Sequence, residues 1–228
     1  MEPTRAGEQR ARVLAVCLAP AATPDGRGGL SGIDKRPVDV VRVTVDGVVG
    51  DRVLDGRHHG GRHKAVYAYA AEDALRWSAE LGREVAPGWF GENLRLAGVD
   101  LVGAVIGERW RVGDAVEVEV SMPRTPCATF QHHVGEPHWV RRFTEAGRVG
   151  VYLRVLVPGE VRPGDPVEVL HRPSHGVSAG RWFTEQRPDD ARALLDAERT
   201  GLELAPDLVA YVERSLRHEA QRAAAPPL

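Results

Sequence analysis

Residues 106–127, IGERWRVGDAVEVEVSMPRTPC, carry the pattern that decides the fold. Of two short runs, 105–112 and 115–120, the second places valines at the two-residue period of a strand, and a Gly113-Asp114 turn joins them. The second run ends in a loop stiffened by prolines, which puts Arg124, Thr125 and Cys127 directly after a strand. A related phrase, RPGDPVEVL at 162–170, launches a further strand in the same way.

Outward from this block, the same grammar recurs. Residues 11–18 (ARVLAVCL) read as a buried strand with Cys17 as a small core hydrophobe, and 40–49 alternate around a DG turn. Further short runs at 65–70, 93–96, 149–157 and 167–170 are separated by glycine and proline. One segment breaks the rule: 71–81 (AEDALRWSAEL) has apolar residues near helical spacing, acidic residues at its front, and Gly82 at its end. Regularly spaced short strands predict a mainly β protein with a closed or nearly closed barrel and peripheral helices, in place of βαβ layering. Past His171 the alternation stops, and helices are expected over 189–198 and 205–225. The expected division is a β domain over 1–172 and a small helical domain over 173–228.

The bulk numbers limit function. A chain of 228 residues with 43% hydrophobic and 27% charged residues can bury a core without disulfides, and a net charge of −2 gives no general attraction to nucleic acid or anionic membrane. Any anion site must therefore be local. Cys17 and Cys127, the two cysteines, are read as free thiols in a reducing cytoplasm, and no stretch approaches the roughly 20 apolar residues of a membrane span. Of 30 basic residues only Lys35 and Lys64 are lysine. Where arginine serves as the generic cation, a retained lysine points to a site that needs a compact charge on a flexible stem.

Both lysines lie in polar loops. SGIDKRPV (31–38) carries Lys35, and GDRVLDGRHHGGRHKAVY (50–67) gathers Arg52, Arg57, His58, His59, Arg62, His63 and Lys64 around a glycine pair whose amides can approach an anion closely. Three histidines there raise the alternative of zinc, but no second CxxC or HExxH cluster accompanies them. A nucleic-acid patch would call for interleaved aromatics, which the loop lacks. FGENL (90–94) adds Asn93. Cys127, between Pro126 and a polar stretch and close to Arg124, is placed where a thiolate would be favoured as a metal ligand or nucleophile. His132, His133 and His138 read as part of a polar connection, with Trp139 and Phe143 as core or pocket wall.

Taken in order, SGIDKRPV, GDRVLDGRHHGGRHKAVYAY, FGENL, the 106–127 block and GVYLRVLVPGEVRPGDPVEV resemble the MOSC domain family, in its bacterial YiiM-like branch. The resemblance covers about residues 10–170, and the tail from His175 resembles the three-helix domain that follows in that branch. It implies a MOSC-type barrel that binds molybdenum cofactor (molybdopterin), with Cys127 as the molybdenum ligand and catalytic residue. It also implies Lys35, Arg52, His59, Lys64 and Arg124 as holders of phosphate and pterin, Asn93 and Thr125 as further site residues, and Arg57 and His58 as secondary. Relatives reduce N-hydroxylated compounds, hydroxylaminopurine bases included, to amines with electrons from a flavoprotein reductase. No dinucleotide fingerprint occurs in the chain, so the donor would be external. Two other uses of the scaffold stay open at this point: a persulfide carrier or sulfur transferase working through Cys127, and a cofactor-independent biosynthetic enzyme.

Overall fold

The computed structural model describes residues 10–26, 28–54 and 60–224; His59, Arg57 and His58 lie outside the described residues. Strands β1 (Arg12–Leu18), β2 (Thr23–Pro24), β3 (Leu30–Ser31), β4 (Arg36–Val38), β5 (Val41–Thr44) and β6 (Gly47–Val48) come first. A 3-10 turn at Arg62–Lys64 leads into β7 (Val66–Ala70), α1 (Ala71–Leu81) and β8 (Leu94–Ala97). The middle comprises β9 (Arg109–Val112), β10 (Val116–Pro123), α2 (Ala128–Val134) and α3 (Trp139–Ala146). Strands β11 (Val151–Val157), β12 (Gly159–Val161) and β13 (Val167–His171) then precede helices α4 (Ala179–Glu185), α5 (Pro188–Arg199) and α6 (Pro206–Ala224).

The described residues form a mixed α/β fold, with six helices and an eight-stranded sheet ordered β13-β9-β10-β11-β7-β8-β1-β4. Two expectations are corrected. The sheet does not close into a barrel among the described residues: its ends approach through the bonds Val13 N–H to Asp165 O (2.8 Å) and Val167 N–H to Ala11 O (2.9 Å), with one isolated bridge between Arg12 and Pro166. Farther along, the same edge of β1 is taken by β4, a three-residue strand centred on Pro37 that pairs with Val16–Leu18, so the contact with β13 stays at the start of β1. Nor is the sheet free of βαβ connection, because β7 and β8 pair in parallel across α1.

Strand periodicity explains the layering. Along β7, Val66, Ala68 and Ala70 enter the apolar interior of the curled sheet, while Tyr67 and Tyr69 enter a second, aromatic cluster beneath the helices. β11 divides likewise, with Val151, Leu153 and Val155 inward and Tyr152 on the helical side. Both faces of these central strands are thus buried, which explains their continuous apolar character. The aromatic cluster includes Tyr69 stacked on Phe90 (4.0 Å between ring centroids) and Trp77 against Trp139 (4.5 Å). Trp182, Leu194, Leu208 and Val212 from α4–α6 belong to the same cluster, so the C-terminal helices share their apolar layer with α1–α3.

Helix α1 fits its sequence reading to the residue, ending at Gly82 in a left-handed conformation (φ 64°). The polar connection expected around His132–His138 is instead two short helices. Each buries an aromatic residue with a partner four positions away or at its start, Phe130 with Val134 and Trp139 with Phe143, and each stops at a left-handed glycine, Gly135 and Gly147.

Candidate functional site

A cavity of about 180 Å³ opens where the 31–35 loop, the 50–54 loop, the 62–65 turn, the 90–93 segment and the start of α2 converge. Among the residues singled out from sequence, Lys35, Arg52, Lys64, Asn93, Arg124 and Cys127 all line it. Thr125 does not. It faces a separate recess of about 90 Å³ formed with Pro123, Trp182 and Tyr211, because consecutive residues leaving β10 point to opposite sides.

Cys127 is a free thiol, half-buried, at the residue before α2. Arg124, three residues earlier and only 3% exposed, stacks its guanidinium 3.9 Å from the Phe130 ring centroid and faces Tyr67 at 5.6 Å. Its Nη1 is buried without a hydrogen-bond partner. A buried, unsatisfied guanidinium nitrogen is costly unless a ligand completes it, and the group that would do so is an anion or a strong acceptor. The cavity therefore fits an anionic group on the chemistry of its own donors.

The lysines are engaged already. Lys35, 9% exposed, forms a short ion pair with Asp51, and burial pulls its ammonium below the usual lysine range while Asp51 opposes the shift. Asp51 also accepts from Ala19 N–H (2.8 Å) and Asn93 Nδ2 (2.8 Å). Asn93 spends the rest of its amide on the backbone, donating to Cys17 O (3.2 Å) and accepting from Tyr67 N–H (3.2 Å), so it ties β1, β7 and the start of β8 behind the cavity wall. Lys64 pairs with Asp207 of α6, and its Nζ lies 5.8 Å over the Tyr152 ring. Arg52 is exposed at the rim.

Several contributors were not read from sequence. Tyr152 and Tyr67 line the cavity, and burial raises both phenols above their ordinary range, which keeps each hydroxyl protonated at neutral pH. The Tyr67 hydroxyl donates to Val149 O at 2.8 Å. Glu92, fully buried, accepts from Gly88 N–H (2.9 Å), Phe90 N–H (3.0 Å) and Arg95 Nε (2.8 Å), and so shapes the turn that presents Phe90 and Gly91 to the cavity. Two glycines admit the loops: a Cβ on Gly32 would overlap the Arg52 carbonyl, and one on Gly88 (φ +89°) the Lys35 carbonyl. Cys17, by contrast, is inert core; burial pushes its thiol up to about 12. No helix among the described residues is long and apolar enough to cross a membrane.

The MOSC domain family model matches residues 55–168. YiiM of Escherichia coli (strain K12) is 33% identical over 185 residues, covering 77% of this chain and 81% of that protein. A protein of Gibberella moniliformis named a reductase is 35% identical over 130 residues, which is 56% of this chain and 23% of that one. The crystal structure of YiiM from Geobacillus stearothermophilus superposes with a TM-score of 0.72 at 26% identity, covering 90% of this chain and 99% of that one. By sequence coverage and by fold, this chain belongs to the MOSC domain family and is YiiM-like within it.

Proposed function

We propose that this protein is a molybdenum-cofactor-dependent oxidoreductase that reduces N-hydroxylated small molecules to amines. The observation that carries the reading is the pairing, in one cavity, of the Cys127 thiol with the unsatisfied Nη1 of buried Arg124. Family membership and the reductase name of the Gibberella relative support the same class of chemistry.

In this reading Cys127, as thiolate, is the protein's ligand to molybdenum, a soft donor suited to a sulfur-rich centre. Arg124 completes its hydrogen bonding on the cofactor's phosphate or pterin, with Lys64, Lys35 and rim Arg52 adding positive potential. When bound, the cofactor supplies two-electron oxygen-atom transfer. Tyr152, kept protonated by burial, offers a hydrogen-bond donor to the substrate's N–O oxygen or to the cofactor. The aliphatic side chains of Ile33, Val53 and Leu54 at the mouth limit water entry. Electrons come from an external flavoprotein reductase. His59 and Thr125 have no argued part: the first lies outside the described residues, and the second faces the other recess.

The test is metal and pterin analysis of protein purified without oxygen, followed by anaerobic turnover of hydroxylaminopurine and simpler hydroxylamines, with Cys127→Ala alongside. Stoichiometric molybdenum with turnover that Cys127→Ala abolishes is the expected result. Turnover undiminished in that variant would reject the reading, and a sulfane sulfur on Cys127 with neither metal nor pterin would reject it in favour of the sulfur carrier.

A further inference from the structure

The C-terminal helices reach the cavity through two carboxylates. Glu203, before α6, and Asp207, in its first turn, meet the three consecutive residues Arg62, His63 and Lys64. The two acids are not equivalent. Glu203 contacts Arg62 Nη2 (3.1 Å), His63 Nε2 (3.3 Å) and Arg154, which in turn holds buried Glu119 at 2.8 Å; none of these partners lines the cavity. Asp207 contacts Lys64, which does line it.

We propose that Asp207 is an internal counter-ion for Lys64 which an anionic ligand of the cavity displaces, so that occupancy of the cavity loosens the start of α6. The inference rests on the anion-binding part of the function proposed above and on no property of molybdenum. Its physical basis is asymmetry. The Lys64 side chain is 10% exposed and that of Asp207 50% exposed, so the carboxylate keeps much of its hydration while the lysine is part of the cavity wall. An ion pair with one half-exposed partner is weak, and a phosphate-type anion beside Arg124 offers Lys64 more negative charge from within the cavity. Lysine's flexible stem allows the exchange without backbone movement. Glu203, held by the cations Arg62 and Arg154 and by the His63 ring, keeps the segment docked meanwhile.

Inorganic pyrophosphate is the probe, titrated calorimetrically into the full-length protein and its Asp207→Asn, Glu203→Gln and Lys64→Ala variants. Asp207→Asn is expected to bind roughly three- to ten-fold tighter, Glu203→Gln within about two-fold of wild type, and Lys64→Ala at least about ten-fold weaker. Pyrophosphate should also speed hydrogen exchange at amides 209–212 in wild type and leave them unchanged in Asp207→Asn. Equal tightening by Glu203→Gln would show a general charge effect and overturn the proposal, as would unchanged or weaker binding by Asp207→Asn. If wild type binds no pyrophosphate at all, the cavity is not an anion site and the proposed function falls with this inference. If wild type binds it without those differences, only the exchange of Lys64 partners is refuted.

Discussion

Asp51 is the buried counter-charge of Lys35, their side chains 3% and 8% exposed, and it holds Asn93 and the backbone of Ala19 in the same grip. The pair sits behind the cavity as part of its wall. Asp51→Asn leaves an ammonium buried without a carboxylate, and should lower unfolding stability by about 3 kcal/mol or more, read as the urea midpoint at pH 7. Burial already depresses Lys35, so over the range between its folded value and about 10.4 the unfolded chain binds the extra proton. Stability of the variant should therefore rise with pH through that window, narrowing its deficit. A deficit that grows with pH would contradict this account.

Arg124 should trade stability for binding. Arg124→Met removes a buried cation with an unsatisfied Nη1 and keeps apolar bulk against Phe130. Thermal stability without ligand is expected to be equal to or above wild type by about 1 kcal/mol, while retention of an anionic ligand is lost. A clear fall in melting temperature would mean the guanidinium supports the fold.

Close packing of two cavity loops makes Gly32 intolerant. Any Cβ there meets the Arg52 carbonyl, so Gly32→Ala must push the 50–54 loop away. About 1–3 kcal/mol of destabilisation is expected, together with weaker binding of pyrophosphate, because Arg52 moves with its loop. Calorimetric melting and titration measure both; wild-type values in each would show that the loop is not seated as described.

His175 should contribute acid sensitivity. Its Nδ1 accepts from Val177 N–H at 3.1 Å, its Nε2 meets Ile106 O at 3.0 Å, and burial lowers its pKa from 6.5. The folded imidazole thus resists a proton that the unfolded one takes up near pH 6.5, so the stability is intact above that pH and is lost as pH falls below it. His63 and His133 are shifted in the same direction by burial and add to the slope. His175→Ala should be less stable at neutral pH and should lose less on going to pH 5 than wild type does, as melting temperatures across that range would reveal. An unaltered slope would exclude His175 as a source.

The sequence made legible what local pattern encodes. Helix α1 announced itself by apolar spacing and Gly82, β1, β10 and β11 by their valine-rich runs, and β7 by a short apolar run after a polar loop. Helices α2 and α3 carried a readable signal, an apolar pair four apart closed by glycine, but in segments of only seven and eight residues, each interrupted by an adjacent pair of histidines or arginines. Closure of the sheet was beyond reach, since strand count does not state which strands pair, and no local pattern shows that β4 takes the edge of β1 beyond Arg12. In the cavity, Cys127 and its cations stood out because binding residues gather on loops. Their carboxylate partners did not: Asp51 is 16 residues from Lys35 and Asp207 is 143 from Lys64, distances over which charge pairing leaves no periodic trace.

The proline in β4 has an effect on how molecules of this protein meet one another. Cys17 turns its N–H toward Asn93 O on the β8 side, so its cross-strand partner Pro37 directs its nitrogen outward, while Arg36 and Val38 face Leu18 and Val16. The one position of that border strand which would offer a hydrogen to an arriving chain has none. An uncapped sheet margin ordinarily templates stacking between copies at high concentration; here imino-acid chemistry at Pro37 denies the incoming strand its first bond.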